Sequence, residues 1–189
     1  MKVILIGYRA TGKSTVGLLL SKKLKIPFVD TDRLIEAAAG MPIKEIVAQE
    51  GWAKFRERET EAVASLDRRK VCVVATGGGA ILASHNRDLL KKMGVLVWLK
   101  APLADMVERL ERDAGHEQLR PKLTSENLAA ETLAVLKERM PVYESVADFT
   151  VDTKDQSVVQ VADSIYQCLL EAGHVFEINK LKNKHKKQS

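Results

Sequence analysis

Val3-Ile4-Leu5-Ile6 runs directly into Gly7-Tyr8-Arg9-Ala10-Thr11-Gly12-Lys13-Ser14-Thr15. Four apolar residues in a row, without polar alternation, read as a strand buried on both faces, the habit of a parallel sheet. The nine residues that follow fit G-x-x-x-x-G-K-[ST]. Glycines let the backbone curl so that its N–H groups face a phosphate chain. The helix expected from Lys13 to about Leu24 adds the positive end of its dipole. Lys13 can reach the β- and γ-phosphates, and the Ser14 hydroxyl can ligate Mg²⁺. Ala10, Thr11, Gly12, Lys13, Ser14 and Thr15 are therefore candidate nucleotide-binding residues. The loop establishes a nucleoside triphosphate site and leaves the phosphate acceptor open.

Outward from this stretch, strands and helices alternate. Pro27–Asp30 is a second short strand, and Leu34–Ala39 a helix stopped by Gly40. Ile43–Gln49 is a short helix closed by Gly51. From Trp52 the spacing Trp52, Phe55, Glu59, Val63, Leu66 follows one helical face. Val71–Ala75, Val95–Leu99 and Phe149–Val151 are three further strands. Helices are expected near Arg87–Met93, from Pro102 to about Glu111, over Ser125–Met140 and over Ser157–Leu170. Asp113–Leu123, polar and broken by Gly115 and Pro121, reads as a mobile loop. The pattern predicts an α/β fold, a five-stranded parallel sheet flanked by helices.

The 189 residues suit one domain, and 46% apolar composition is the globular norm. No apolar run approaches the roughly 18–20 residues that span a bilayer, so no membrane partner is expected. Cys72 and Cys168 match neither a disulfide framework nor a metal motif, which favours a reduced, cytoplasmic protein. After Gly173, five lysines (Lys180, Lys182, Lys184, Lys186, Lys187) face one acid, Glu177, so most of the net charge of +5 sits in a short segment. The chain thus divides into a domain over 1–173 and a basic, flexible tail over 174–189. No specific nucleic-acid partner is expected from a charge so confined.

Several residues are candidates for the acceptor side. Asp30-Thr31-Asp32 ends the second strand, where open α/β sheets bind ligands. One acid can hold Mg²⁺ through water while the other accepts a hydrogen bond from a substrate hydroxyl. Asp32 would also serve as a helix N-cap. Thr76-Gly77-Gly78-Gly79-Ala80 follows the third strand, and its glycines admit a ligand close to backbone, although a plain turn uses glycine too. Arg56 alone reads as a solvated helix charge. Arg139, before Met140-Pro141, reads as a cation at a helix C-terminus. Arg120-Pro121 reads as a loop charge, and Tyr8-Arg9 as a variable pair.

Together, Gly7–Thr15, Asp30-Thr31-Asp32, Phe55-Arg56, Gly77-Gly78-Gly79, Leu119-Arg120-Pro121 and Arg139-Met140-Pro141-Val142-Tyr143 resemble the shikimate kinase family, in order and spacing. Val151-Asp152-Thr153 followed by Gln156 is similar to that family's last strand and adenine-side loop. The resemblance covers about residues 1–171. It implies a nucleoside-monophosphate-kinase-like P-loop fold with a mobile lid at about 111–123. It implies transfer of the γ-phosphate of ATP to the 3-hydroxyl of shikimate, with Mg²⁺, on the way to chorismate and the aromatic amino acids. Lys13, Asp32 and Arg120 are then the catalytic residues. Asp32, Arg56, Gly77, Gly78, Gly79 and Arg139 bind the acceptor, with the two arginines on its carboxylate. Arg120 and Gln156 join the nucleotide site. Ser14 ligates Mg²⁺ and Asp30 does so through water. A monomer is expected. Arg112 is a possible second nucleotide-side arginine. The stretch from Glu111 to Leu119 is slightly long for the family's lid, and the lysine-rich tail has no counterpart there.

Two other readings stay open at this stage. One is a P-loop kinase of another small hydroxy acid, such as gluconate. The other is a non-catalytic relative that binds nucleotide, which should have lost site acids or arginines. Lys13, Asp30, Asp32, Arg56, Arg120 and Arg139 are all present.

Overall fold

The computed structural model of the chain describes residues 1–66, 71–114 and 128–186. The order of elements is β1 (Lys2–Ile6), α1 (Lys13–Leu24), β2 (Phe28–Asp30), α2 (Thr31–Ala39), α3 (Ile43–Ser65), β3 (Cys72–Ala75), a 3₁₀ turn (Ala80–Leu82), α4 (Ser84–Met93), β4 (Gly94–Lys100), α5 (Leu103–Ala114), α6 (Leu128–Val146), β5 (Phe149–Asp152), α7 (Val158–Glu171) and α8 (His174–Lys186). All five strands are parallel, in the order β2-β3-β1-β4-β5.

The apolar runs are buried on both faces, as continuous hydrophobic strands require. With a side-chain period of two, Val3, Leu5, Val73, Val95, Val97 and Leu99 point to one face, where Val16 and Leu20 of α1 and Val161 and Ile165 of α7 cover them. Ile4, Ile6, Val74, Leu96 and Trp98 point to the other, under Val63 of α3, Leu90 of α4 and Tyr143 of α6. Neighbouring strands β1 and β3 lead into helices on opposite faces, α1 on the first and α4 on the second. Their carboxyl ends therefore open a crevice between the outgoing loops, the usual ligand position in such sheets.

Four sequence expectations change. Asp32 is not the cap of α2. The helix begins at Thr31, and Asp30 caps it by accepting from the Asp32 N–H at 3.0 Å. Arg139 does not end a helix, because α6 continues through Pro141 to Val146. Helix α5 continues to Ala114, so Asp113 is helical where a loop was expected, and the rest of the predicted lid lies outside the described residues. Residues 174–186, expected as part of a flexible tail, form a helix. Val175 and Ile178 of α8 are buried in the first core, Leu181 packs against it, and Lys182 Nζ donates to Leu24 O at 2.9 Å, capping α1. Its apolar residues sit about one turn apart, and the intervening lysines can cover apolar surface with their stems. Within α3, Gly51 takes φ 81° and ψ 169°, separating two helical stretches where the sequence suggested two helices.

Candidate active site

The phosphate loop follows β1 and is shaped by its own backbone. Gly7, Ala10 and Gly12 all have positive φ, at 142°, 60° and 88°, the conformation that turns successive N–H groups inward. A Cβ on Gly7 would stand 2.6 Å from Leu99 O, so this glycine also permits close approach of β4. Thr11 Oγ1 donates to Tyr8 O at 2.8 Å, and Lys13 Nζ donates to Tyr8 O at 2.6 Å and Gly7 O at 2.9 Å. No acid lies in the first turn of α1 and no side chain caps it. Its leading N–H groups are thus suited to an anion. Ser14 Oγ donates to Asp30 Oδ2 at 2.6 Å. Since the other Asp30 oxygen caps α2, one carboxylate ties the phosphate loop to the end of β2.

The second loop, Thr76–Ala80 after β3, is shaped by side chains from elsewhere. Thr76 N donates to Leu5 O and Gly77 N to Thr31 Oγ1, which fastens the loop between β1 and α2. A Cβ on Gly77 would lie 2.6 Å from Asp32 Oδ1 and 2.7 Å from Glu59 Oε1. On Gly78 it would press the Arg9 amide at 3.2 Å, and on Gly79 it would overlap the Arg56 guanidinium. Each glycine thus makes room for a different site group. The plain-turn reading does not explain three. Gly78 O accepts from Tyr143 Oη at 2.6 Å and Arg139 Nη1 at 3.3 Å.

These groups wall one open pocket, with Arg9, Asp32, Arg56, Glu59 and Arg139 supplying its charges and Trp52 and Phe55 part of its apolar wall. Arg56 pairs with Glu59 three residues on and lies over the rings of Trp52 and Phe55 at 5.4 and 5.5 Å. Arg139 stands over the Tyr8 ring at 5.7 Å. Among the described residues no carboxylate is paired with Arg139. Asp32, which does not cap α2, is 9% exposed and lines the same pocket. The structure therefore brings together Asp32, Arg56, Gly78, Gly79 and Arg139. Arg120 lies outside the described residues. Gln156 sits in the loop after β5 with its amide donating to Asp152 O at 2.8 Å. Arg112 is exposed and paired with Glu108, whereas Arg109 donates to Ala10 O of the phosphate loop at 3.1 Å.

Sequence reasoning passed over Glu59, Arg9 and Glu131. Glu59 is 3% exposed, and burial raises its pKa above the usual carboxylate range against the pull of Arg56. Its signal was an acid on the apolar Trp52–Leu66 stripe. Arg9, set aside as variable, donates to Glu131 Oε1 at 2.5 Å, and Glu131 is 1% exposed. Residues Glu131, Val135, Arg139 and Tyr143 are spaced by four along α6. They meet, in turn, Arg9, Tyr8, Tyr8 with Gly78, and Gly78. One stripe of α6 is thereby fastened to both loops. Tyr143 is further stacked on Trp98 at 5.8 Å, and burial raises its phenol pKa.

The sequence model of shikimate kinase matches residues 9–170. The chain belongs to the shikimate kinase family. A shikimate kinase from Syntrophus aciditrophicus (strain SB) is 44% identical over 171 residues, covering 86% of this chain and 88% of the relative. Among solved structures, shikimate kinase from Acinetobacter baumannii in complex with shikimate superposes with a TM-score of 0.85 at 37% identity, covering 90% of this chain and 93% of that one. A gluconokinase from Sinorhizobium meliloti 1021, with a TM-score of 0.53 and 18% identity, shares the fold alone. As a shikimate kinase family member the chain is an ATP-dependent phosphotransferase acting on shikimate. No helix among the described residues is long and apolar enough to cross a membrane.

Proposed function

We infer that the chain transfers the γ-phosphate of ATP to the 3-hydroxyl of shikimate, giving shikimate 3-phosphate and ADP, and that the residues above divide the work as follows. Residues Ala10–Thr15 cradle the phosphates, and the Lys13 ammonium neutralises charge on the transferring phosphoryl group. Arg56 and Arg139, from different helices of one pocket, grip the acceptor carboxylate through their planar guanidinium groups. Gly77, Gly78 and Gly79 keep the acceptor against backbone. Asp32 accepts the hydrogen bond of the attacking hydroxyl and directs it at the phosphate. Positioning of this kind is most of what phosphoryl transfer asks of a protein. Arg120 completes the phosphate site from the segment after α5, and Gln156 borders the nucleotide base.

The hydroxyl–carboxylate pair of Ser14 and Asp30, at 2.6 Å, fits Mg²⁺. Both are oxygen donors, and Mg²⁺ prefers one or two such groups beside phosphates and water. Ser14 would hold the ion directly and Asp30 through water, and the ion when bound neutralises phosphate charge. We place the enzyme in the cytoplasm as a monomer, on the route to chorismate. Cys72 and Cys168 form no disulfide, which suits a reducing compartment.

The observation that carries this reading is that Arg139 lines one pocket with Arg56 and Asp32 and has carbonyl and ring partners but, among the described residues, no ion-paired carboxylate. The test is a coupled ADP-release assay with shikimate and with its methyl ester. Esterification removes the charge and blocks bidentate pairing, so the ester should react at least about a hundredfold less efficiently by kcat/KM. Equal reaction of ester and acid would remove the arginines from the acceptor site.

A further inference from the structure

We propose that the Arg9–Glu131 ion pair is a positioning device that seats α6 against the phosphate loop and so sets where Arg139 meets the acceptor. The inference rests on the assignment of Arg139 to the acceptor carboxylate. Arg9 belongs to the phosphate loop by sequence and to the acceptor pocket by position. Its guanidinium reaches Glu131, 122 residues away, at 2.5 Å. Glu131 lies in the first turn of α6, two turns before Arg139. Between them Val135 packs on Tyr8, whose ring faces Arg9 at 5.5 Å and Arg139 at 5.7 Å.

A nearly buried ion pair costs desolvation and is weak grounds for stability, but it is well suited to fixing a register. Here the cost is visible. Among the described residues Arg9 Nε is buried without a hydrogen-bond partner, so the side chain is held through its Glu131 contact rather than by full satisfaction of its donors. An apolar contact alone, such as Tyr8 on Val135, would let the helix slide or turn by fractions of a residue. The charged pair at its start does not. Displacing the Arg139 fork by about 1 Å is enough to cost about a hundredfold in a reaction governed by positioning.

The experiment compares the acid-to-ester ratio of kcat/KM in the wild type, Arg9→Met, Glu131→Gln and the double variant, with KM for ATP and thermal midpoint measured alongside. The wild-type ratio tests Arg139 itself. The change in that ratio tests the pair. We expect the ratio to fall about tenfold in each single variant, and the double variant to be no worse than the poorer single, because the two groups act as a unit. Arg9→Lys, which keeps the charge and loses the fork, should lie between, and it carries the same comparison if the removals do not fold. A lowered midpoint with an unchanged ratio would make the pair purely structural and overturn the proposal. So would an unchanged ratio with a raised KM for ATP, which would assign Arg9 to the phosphates.

Discussion

Two glycine-bearing loops leave the carboxyl ends of adjacent strands, and they are built in opposite ways. The loop at 7–13 takes its curve chiefly from its own backbone. Positive φ at Gly7, Ala10 and Gly12 sets the curve, and Thr11 and Lys13 bond to Tyr8 O within it. The loop at 76–80 takes its form from outside, from Thr31, Asp32, Arg56, Glu59, Arg139 and Tyr143. A self-contained loop is one that a short motif can describe. A convergent loop has only a composition until its neighbours are placed. The first serves a phosphate chain common to many enzymes, and the second fits one acceptor.

Perturbing each loop should separate the two. Lys13→Ala, in the self-contained loop, has the largest expected effect, a loss of kcat of about 10³ or more by analogy with other cationic stabilisers of phosphoryl transfer. Single-turnover rates at saturating ATP and shikimate would measure it. Gly79→Ala comes next. Gly79 has an ordinary φ of −104°, so the new methyl acts only by overlapping the Arg56 guanidinium. We expect kcat/KM for shikimate to fall about a hundredfold with KM for ATP little changed. Loss on the ATP side instead would show that the two loops are one structural unit. Gly40→Ala is the matched control, with φ 71° but open space around it. Its cost is about 1 kcal/mol of stability, read in urea, with kinetics intact.

The far side of the sheet gives the next step down for catalysis. Ile178 of α8 is 1% exposed and remote in function from both loops. Ile178→Ala should cost about 2 kcal/mol of stability, the low end for such a truncation because a terminal helix can settle into the space. Its kcat should stay within twofold, as should that of a chain ending at Gly173, which should melt at a lower temperature. The smallest effect is a slope. With its pKa raised from 4.5 in the folded state, Glu59 binds more protons folded than unfolded. Wild-type stability therefore falls, relative to Glu59→Gln, as pH rises from about 4.5 through the raised value. Denaturation at pH 4.5 and 7.5 would show it. A gap that moved the other way would mean that Arg56 outweighs burial.

The centre of the sheet was legible because β1, β3 and β4 carry unbroken apolar runs, and the nucleotide site because its motif is local. Asp32 and Arg139 were legible as residues but not in their setting. Which of two aspartates caps α2 depends on where β2 ends, and Pro141 looks like a stop although α6 passes through it. Helix α8 was hidden by its lysines, which dominate a charge count while Val175 and Ile178 do the packing. Arg9 and Glu131 were illegible, since no local rule links residues on either side of the chain's central elements.

The stripe Glu131–Val135–Arg139–Tyr143 makes α6 a ruler with four marks. One residue inserted or deleted between Glu131 and Arg139 would rotate every later mark by about 100° and slide it by about 1.5 Å. Arg139 and Tyr143 would leave Gly78 together. The tolerance of this enzyme to changes in chain length is therefore uneven. Segments that join elements should tolerate a change of length, while a gap among the thirteen positions from Glu131 to Tyr143 should cost activity.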